Sequence, residues 1–468
     1  MRDARSPRTA TLWSADAPPD PAMVEFTAGQ DRELDRPLLR WDVIGGLGHV
    51  EGLAAAGLLS PGDRATLRAA LLDLLDAVDR GALAAGPEQE DVHTAVEAWL
   101  TARAPDAGPR IHAGRSRNDQ VVCDLRLWLK HRLLAVEASA ERLAQALLDW
   151  AAPHADALWP GYTHQRRAMV SSAGLWAAAH AEGILDTLES LPALWKRVDR
   201  SPLGSAAGFG APLPLDRAHV ARALGFADVE HNVAAVQNGR GKLEGAVLWW
   251  CVELGHDLGR LAADVVLWSG DEHGLLVLPP DLATGSSIMP HKRNPDVFEL
   301  IRARAAALDG DLATALSIRA RLTSGYHRDF QLLKEPLMRG IERAERSLEM
   351  ATRAVPRLAV DRDRARAALG GDALATDEVQ RRVEAGTPFR VAYREVAGAL
   401  AAGVAFPAPS PAALLARRRM PGCVGDLDLD HPRARLEASR AWAREESRKF
   451  SAALDRLTEG RSEAAVDR

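Results

Sequence analysis

Between Asn118 and Ala155 the chain runs with almost no proline or glycine, and Val121, Leu125, Trp128, Leu129, Leu133 and Leu134 recur near helical spacing. A single helix of that length is predicted. Comparable runs cover Arg167 to Val198, Arg240 to Ser269, Pro295 to Leu322 and Glu335 to Ala354, each long enough to span a bundle. Strand-type alternation of β-branched and aromatic residues is nearly absent, so the fold class expected is all-α, with five long helices at its centre. Helices this long with apolar residues on more than one face cannot hide them within one subunit, which points to a homo-oligomer.

With 468 residues the chain exceeds one ordinary core. Shorter helical pieces around Leu34 to Leu58, Pro61 to Val78 and Glu90 to Thr101, separated by Gly/Pro turns, form an N-terminal helical domain over 1–114. The long helices occupy a central domain over 115–364. Beyond it the helices shorten, the Pro-rich stretch Ala405 to Ala412 intervenes, and a last helix over His431 to Asp455 closes a small helical domain at 365–468.

The net charge of −5 supplies no general pull toward nucleic acid or an anionic membrane. Cys123, Cys251 and Cys423 are scattered, odd in number and without metal-ligand spacing, as expected of thiols in a reducing compartment. The first twenty residues contain no apolar signal core, and no later stretch is apolar for about 18 residues. A soluble cytoplasmic protein is expected.

Chemistry concentrates in polar islands between the long runs. Residues 285–299 read Gly-Ser-Ser-Ile-Met-Pro-His-Lys-Arg-Asn-Pro-Asp-Val-Phe-Glu, a serine-bearing loop running into a helix for which Asn294 is the expected N-cap and Pro295 the first residue. Its lysine stands out. Of 59 Lys plus Arg only Lys130, Lys196, Lys242, Lys292, Lys334 and Lys449 are lysine, so Lys292 suggests a need for a compact ammonium against one carboxylate. The segment from Ile111 to Val121 opens the first long helix with Arg115 and Arg117, where free backbone N–H groups and the helix dipole suit an anion. Thr163 and His164 are expected at a helix end, where the second long run starts beside the Pro160-Gly161 turn, and there the imidazole can act as acid or base. Tyr326, Gln331 and Lys334 open the fifth run, the last two three residues apart and on one face. These islands suit an elimination without metal or cofactor, which requires a base, a cation against the developing aci-carboxylate, and an acid for the departing nitrogen. Each also has a bland reading, as a solvated loop charge, a polar helix cap or a structural histidine.

The Gly-Ser-Ser-Ile-Met-Pro-His-Lys-Arg-Asn-Pro segment resembles the signature of the aspartase/fumarase superfamily, whose members release fumarate. Gly114-Arg-Ser-Arg-Asn-Asp-Gln-Val121 resembles, within it, the argininosuccinate lyase family. Further similar segments follow in order: Glu90-Asp-Val-His93, Gly161-Tyr-Thr-His164, Ser201-Pro-Leu-Gly204, Tyr326 with Gln331 and Lys334, and Ala375-Thr-Asp377 through Pro388-Phe-Arg390. The resemblance implies three helical domains, a homotetramer around a twenty-helix core, a signature loop at 283–295, and active sites assembled from three subunits. It implies Ser286 as base, Lys292 as the intermediate's cation, and His164 as acid for the leaving nitrogen, oriented by Glu299. Arg115, Asn118 and Thr163 would hold the fumaryl portion of a small dicarboxylate substrate. Tyr326, Gln331 and Lys334 would hold the rest, and His93 would line the same cleft.

Several segments depart from the family pattern: Gln165-Arg-Arg-Ala-Met-Val170, with Arg166 in place of the usual glutamine, Gln237-Asn-Gly-Arg240, Phe26-Thr-Ala-Gly29, and the stretch beyond Trp13. They bear on the amine-side substituent more than on the elimination. The expected reaction is cleavage of argininosuccinate to arginine and fumarate. The alternative is a fumarate-releasing lyase for another N-substituted aspartate such as adenylosuccinate. A catalytically silent relative would require loss of the serine, lysine or histidine, and none is lost.

Overall fold

The computed structural model describes residues 20–82, 91–407 and 409–460; Trp13 and Glu90, named above, lie outside them. The described residues are mainly helical. Short helix α1 (Pro21–Ala28) precedes α2 (Leu39–Ala55), α3 (Pro61–Asp79) and α4 (Val92–Arg103). The first long helix, α5, runs over Arg117–Ala151. Its start is fixed by a capping box, in which Ser116 accepts from the Asn118 N–H while the Ser116 N–H donates to Asp119 Oδ1 at 2.9 Å.

An antiparallel hairpin of β1 (Leu158–Thr163) and β2 (Arg166–Ser172) then leads into α6 (Ala173–Val198). The remaining long helices are α7 (Lys242–Trp268), α8 (Asp296–Arg319) and α9 (Lys334–Ala354). A two-residue ladder, β3 (Thr284–Gly285) with β4 (Arg293–Asn294), closes the loop before α8. The final helix, α10, spans Asp430–Thr458.

α5 packs on α6 and α9, while α7 packs on α6, α8 and α9, so the five long helices share one core. α2 lies against α5, and α10 folds back across α5 and α6, bringing early and late helices onto the bundle. One continuous apolar cluster runs from Leu38 to Leu457. A small separate one, Val379, Ala392 and Val396, serves the short helices Ala375–Glu384 and Phe389–Ala401. Among the described residues no helix is long and apolar enough to cross a membrane.

Two departures from the sequence reading matter for the site. The run expected to be helical from Arg167 starts as a helix only at Ala173, because Arg166–Ser172 pairs back on Leu158–Thr163. The expected N-cap Asn294 instead pairs with Thr284, and Pro295 takes the cap position of α8. The base of the signature loop is therefore a pinned ladder. The hairpin is held at its root by Trp150, Trp159, Trp176 and Trp268, whose rings meet edge-to-face or tilted at centroid separations of 4.8–5.9 Å. Gly174 makes that junction possible, since a Cβ there would lie 2.6 Å from the Ala151 carbonyl oxygen and 2.7 Å from Ala155 Cα.

Candidate active site

A cleft of about 170 Å³ opens where the starts of α5 and α9 face α4 and the N-terminal segment. His93, Asn118, Tyr326, Gln331 and Lys334 all line it. The sequence therefore brought five of its candidates to one place. The cleft also takes residues not singled out beforehand: Asp31, Asp35, Asp91, Arg328 and Phe330. Arg240, which ends one of the divergent segments, lines it too.

Lys334 is buried, and its ammonium sits between two carboxylates, 2.7 Å from Asp31 Oδ1 and 2.6 Å from Asp35 Oδ1. Burial pushes the Asp31 carboxyl up to about 6, against the pull of Lys334. Gln331 donates to the Thr27 and Ala28 carbonyls at 2.9 and 3.0 Å, and Arg328 donates to the Thr27 carbonyl at 2.8 Å. The divergent segment around Gly29, which turns with φ of 51°, is thus laced to the start of α9. Tyr326 stands at the mouth, half exposed, its ring edge-on to Phe330.

On the opposite wall Arg117 pairs with Asp91 at 3.2 Å and donates to Thr94 Oγ1 at 2.9 Å. Arg115 turns inward, where its Nε is buried without a hydrogen-bond acceptor among the described residues. It lines a small recess with His93 and Gln120 behind the cleft. Asp119, in the first turn of α5, accepts from the Gly204 and Ala206 N–H groups at 3.0 and 2.8 Å and ties the Ser201–Gly204 segment to the same helix start. Burial pushes its carboxyl up to about 6, despite those donors.

The other candidates lie elsewhere on the protomer. Lys292 and Glu299 line a second, wider groove with Asp361 and Arg364. Ser286 is in the loop beside it, and its Oγ accepts from the Met289 N–H at 3.1 Å and the Ile288 N–H at 3.4 Å. Thr163 and His164 stand exposed at the tip of the β1–β2 hairpin. The turn is strained, with His164 and Gln165 at φ of 53° and 59°, left-handed values that non-glycine residues rarely adopt. Within one chain no hydrogen bond or ion pair joins His164 to Glu299 among the described residues. His164, Ser286 and the cleft lie on three separate surfaces of the chain.

The chain's similarity to known proteins agrees with this arrangement of elements. A family model described as Lyase (Lyase_1) matches residues 32–310. Argininosuccinate lyase of Sorangium cellulosum (strain So ce56) is 44% identical over 426 residues, covering 91% of this chain and 98% of that protein. Argininosuccinate lyase of Xanthomonas campestris pv. campestris (strain B100) is 42% identical over 432 residues, covering 92% and 99%. Among solved structures, EDDS lyase in complex with formate superposes with a TM-score of 0.78 at 24% identity, covering 98% of this chain and 97% of that one. A class II fumarase from Schistosoma mansoni superposes with a TM-score of 0.70 at 15% identity, over 82% and 89% of the two chains.

Proposed function

From a chain that belongs to the lyase family, and within it to the argininosuccinate lyases, we infer an enzyme that reversibly cleaves argininosuccinate to arginine and fumarate. It is a carbon–nitrogen lyase. The proton on the carbon next to the departing nitrogen's carbon is removed, the electron pair forms the double bond of fumarate, and the C–N bond breaks as the nitrogen is protonated.

The observation that carries this reading is the mixed charge of the cleft. Argininosuccinate presents carboxylates at both ends, an ammonium and a guanidinium. The cleft answers with Arg117, Arg240, Arg328 and Lys334 beside Asp31, Asp35 and Asp91. Arg115, Asn118 and Thr163 hold the fumaryl portion, while Tyr326, Gln331 and Lys334 hold the arginine portion, with His93 on the wall between. Ser286 is the base. The two backbone N–H groups aimed at its Oγ favour a negative oxygen there. The Lys292 ammonium neutralises the aci-carboxylate, and His164, oriented by Glu299, protonates the nitrogen.

These groups must meet across subunits, so the working form is a homotetramer with a twenty-helix core. Two features support it: the dispersal of the candidates over three surfaces of one chain, and the exposed apolar residues Trp249, Leu267, Leu300, Leu316 and Met350 on α7, α8 and α9. The three-domain division at 114/115 and 364/365, with the signature loop at 283–295, belongs to the same reading, as does a cytoplasmic location.

Purified protein given argininosuccinate should generate the ultraviolet absorbance of fumarate, and Ser286→Ala or Lys292→Ala should abolish it. Lack of turnover by the wild type rejects this substrate. Turnover of adenylosuccinate alone in a parallel assay would favour a lyase of another N-substituted aspartate, in line with Arg166 and Gly29.

A further inference from the structure

Behind the cleft wall, α2, α4 and α5 bring three ionisable side chains into one buried knot. His93 Nδ1 lies 3.0 Å from Asp42 Oδ1 and 3.8 Å from Asp124 Oδ2, with all three side chains at most 5% exposed. Gln120 Nε2 donates to the same Asp42 oxygen at 3.4 Å. His93 Nδ1, Asp42 Oδ2 and Asp124 Oδ2 are buried without a hydrogen bond among the described residues, so the 3.0 Å contact of the ring with Asp42 is an ion pair and not an aligned hydrogen bond. The other face of the knot is the cleft itself, which His93 lines.

A buried carboxylate pair must be neutralised, and the groups around this one decide how. Asp91 at the start of α4 adds negative potential at His93, and Asp35 adds it at Asp124. Arg115 faces both Asp42 and Asp124, while Arg117 pairs with Asp91; His112, on the 3-10 turn before α5, adds weak positive potential only if protonated. One proton on the ring and one on Asp124 leaves the knot neutral: aspartate, imidazolium, carboxylic acid. The electrostatics agree with that division, since the neighbouring carboxylates push His93 up to about 10 against its burial, Asp42 is held low by His93, and burial drives Asp124 well above the carboxylate range. The donor atoms lie within 4.8 Å of one another, a spacing that would also admit a divalent cation, but the Arg115 guanidinium facing the same carboxylates disfavours a further double charge.

We propose that Asp42 is a positioning residue that holds His93 as an imidazolium on the cleft wall, where the ring binds a carboxylate of the substrate. The proposal rests on the lyase reading for the identity of that carboxylate, and not for the protonation state. Asp42 acts through the ring: the carboxylate 3.0 Å from Nδ1 favours a proton there while the ring lines the cleft.

Two measurements test it. Magic-angle-spinning NMR of protein labelled with 15N in its histidine rings should show, at about pH 8 and without substrate, one ring protonated on both nitrogens that disappears in His93→Gln. A neutral His93 at that pH overturns the proposal whatever the substrate. Asp42→Asn should raise KM for argininosuccinate about 10- to 100-fold at about pH 8, the range set by one charged hydrogen bond, while kcat changes far less. Without Asp42 the ring's proton affinity should fall, so the KM of the variant should recover as the pH is lowered. A KM defect in Asp42→Asn that is independent of pH overturns the proposal, as does a stoichiometric divalent ion in the purified protein. If the wild type turns over only another N-substituted aspartate, the argininosuccinate reading fails and the same KM comparison is made with that compound.

Discussion

Replacing Asp31 with asparagine separates what this carboxylate does for folding from what it does for binding. In the folded chain its carboxyl is raised from 3.8 to about 6, chiefly by burial, even though the Lys334 ammonium lies 2.7 Å away. A carboxyl raised in this way contributes stability that is fully present below 3.8 and lost as the pH climbs through about 6. At 1.36 kcal/mol per decade of proton affinity the whole loss amounts to about 3 kcal/mol. The side chain keeps 16% exposure, and solvent screening reduces the figure to about 1–2 kcal/mol. Asparagine has the shape of the neutral acid and keeps an oxygen for Lys334, which also retains Asp35 at 2.6 Å. Asp31→Asn should therefore be more stable than wild type by about 1–2 kcal/mol at about pH 7.5, with the advantage shrinking toward about pH 4. Urea unfolding of both proteins at one fixed protein concentration measures it. KM for argininosuccinate should rise in the same variant, since the cleft loses one anion opposite the arginine portion. A variant less stable than wild type at about pH 7.5, or a difference that does not change with pH, refutes the reasoning.

Gly174→Ala forces a Cβ against backbone atoms at 2.6 and 2.7 Å that cannot step aside, so it should cost about 2–3 kcal/mol in urea unfolding and loosen the hairpin root. Trp249, 53% exposed on α7, should become buried on assembly; Trp249→Glu should lower the mass measured by light scattering and reduce fumarate production with it. His164→Asn should lower kcat by about 100-fold or more with little change in KM, as expected of a general acid that acts on the leaving group.

The long helices were legible because their apolar periodicity is local. Val121, Leu125, Trp128 and Leu129 all fall within α5, and only the ends of the five runs moved. The hairpin was not legible. Leu158–Thr163 reads Leu-Trp-Pro-Gly-Tyr-Thr, with a proline and a glycine where the register shifts, so nothing in the stretch declares a strand until Ser172 and Ser171 pair back on Leu158 and Trp159. Asn294 and Pro295 carry a sound helix-start signal, but the ladder with Thr284 outcompetes the cap, a contact ten residues away that no propensity encodes. The cleft divides the same way. Gln331 and Lys334 could be read from their spacing, whereas Asp31 and Asp35, an acid pair four residues apart, acquire meaning only when Lys334 arrives from 303 and 299 positions along the chain. Asp42 and Asp124 carried no signal, since single acids in long helices are ordinarily solvated.

The knot of indoles at the hairpin root gives the protein an optical signature of its own. Trp150, Trp159, Trp176 and Trp268 stand close enough, at 4.8–5.9 Å between centroids, for their electronic transitions to couple, and His154 stacks on Trp150 at 4.0 Å. Coupled chromophores in a fixed chiral arrangement rotate near-ultraviolet light strongly, and the signal decays steeply as the rings separate. The strand pair that carries His164 at its far end is anchored in this cluster through Trp159, so its docking can be followed by circular dichroism without any added label.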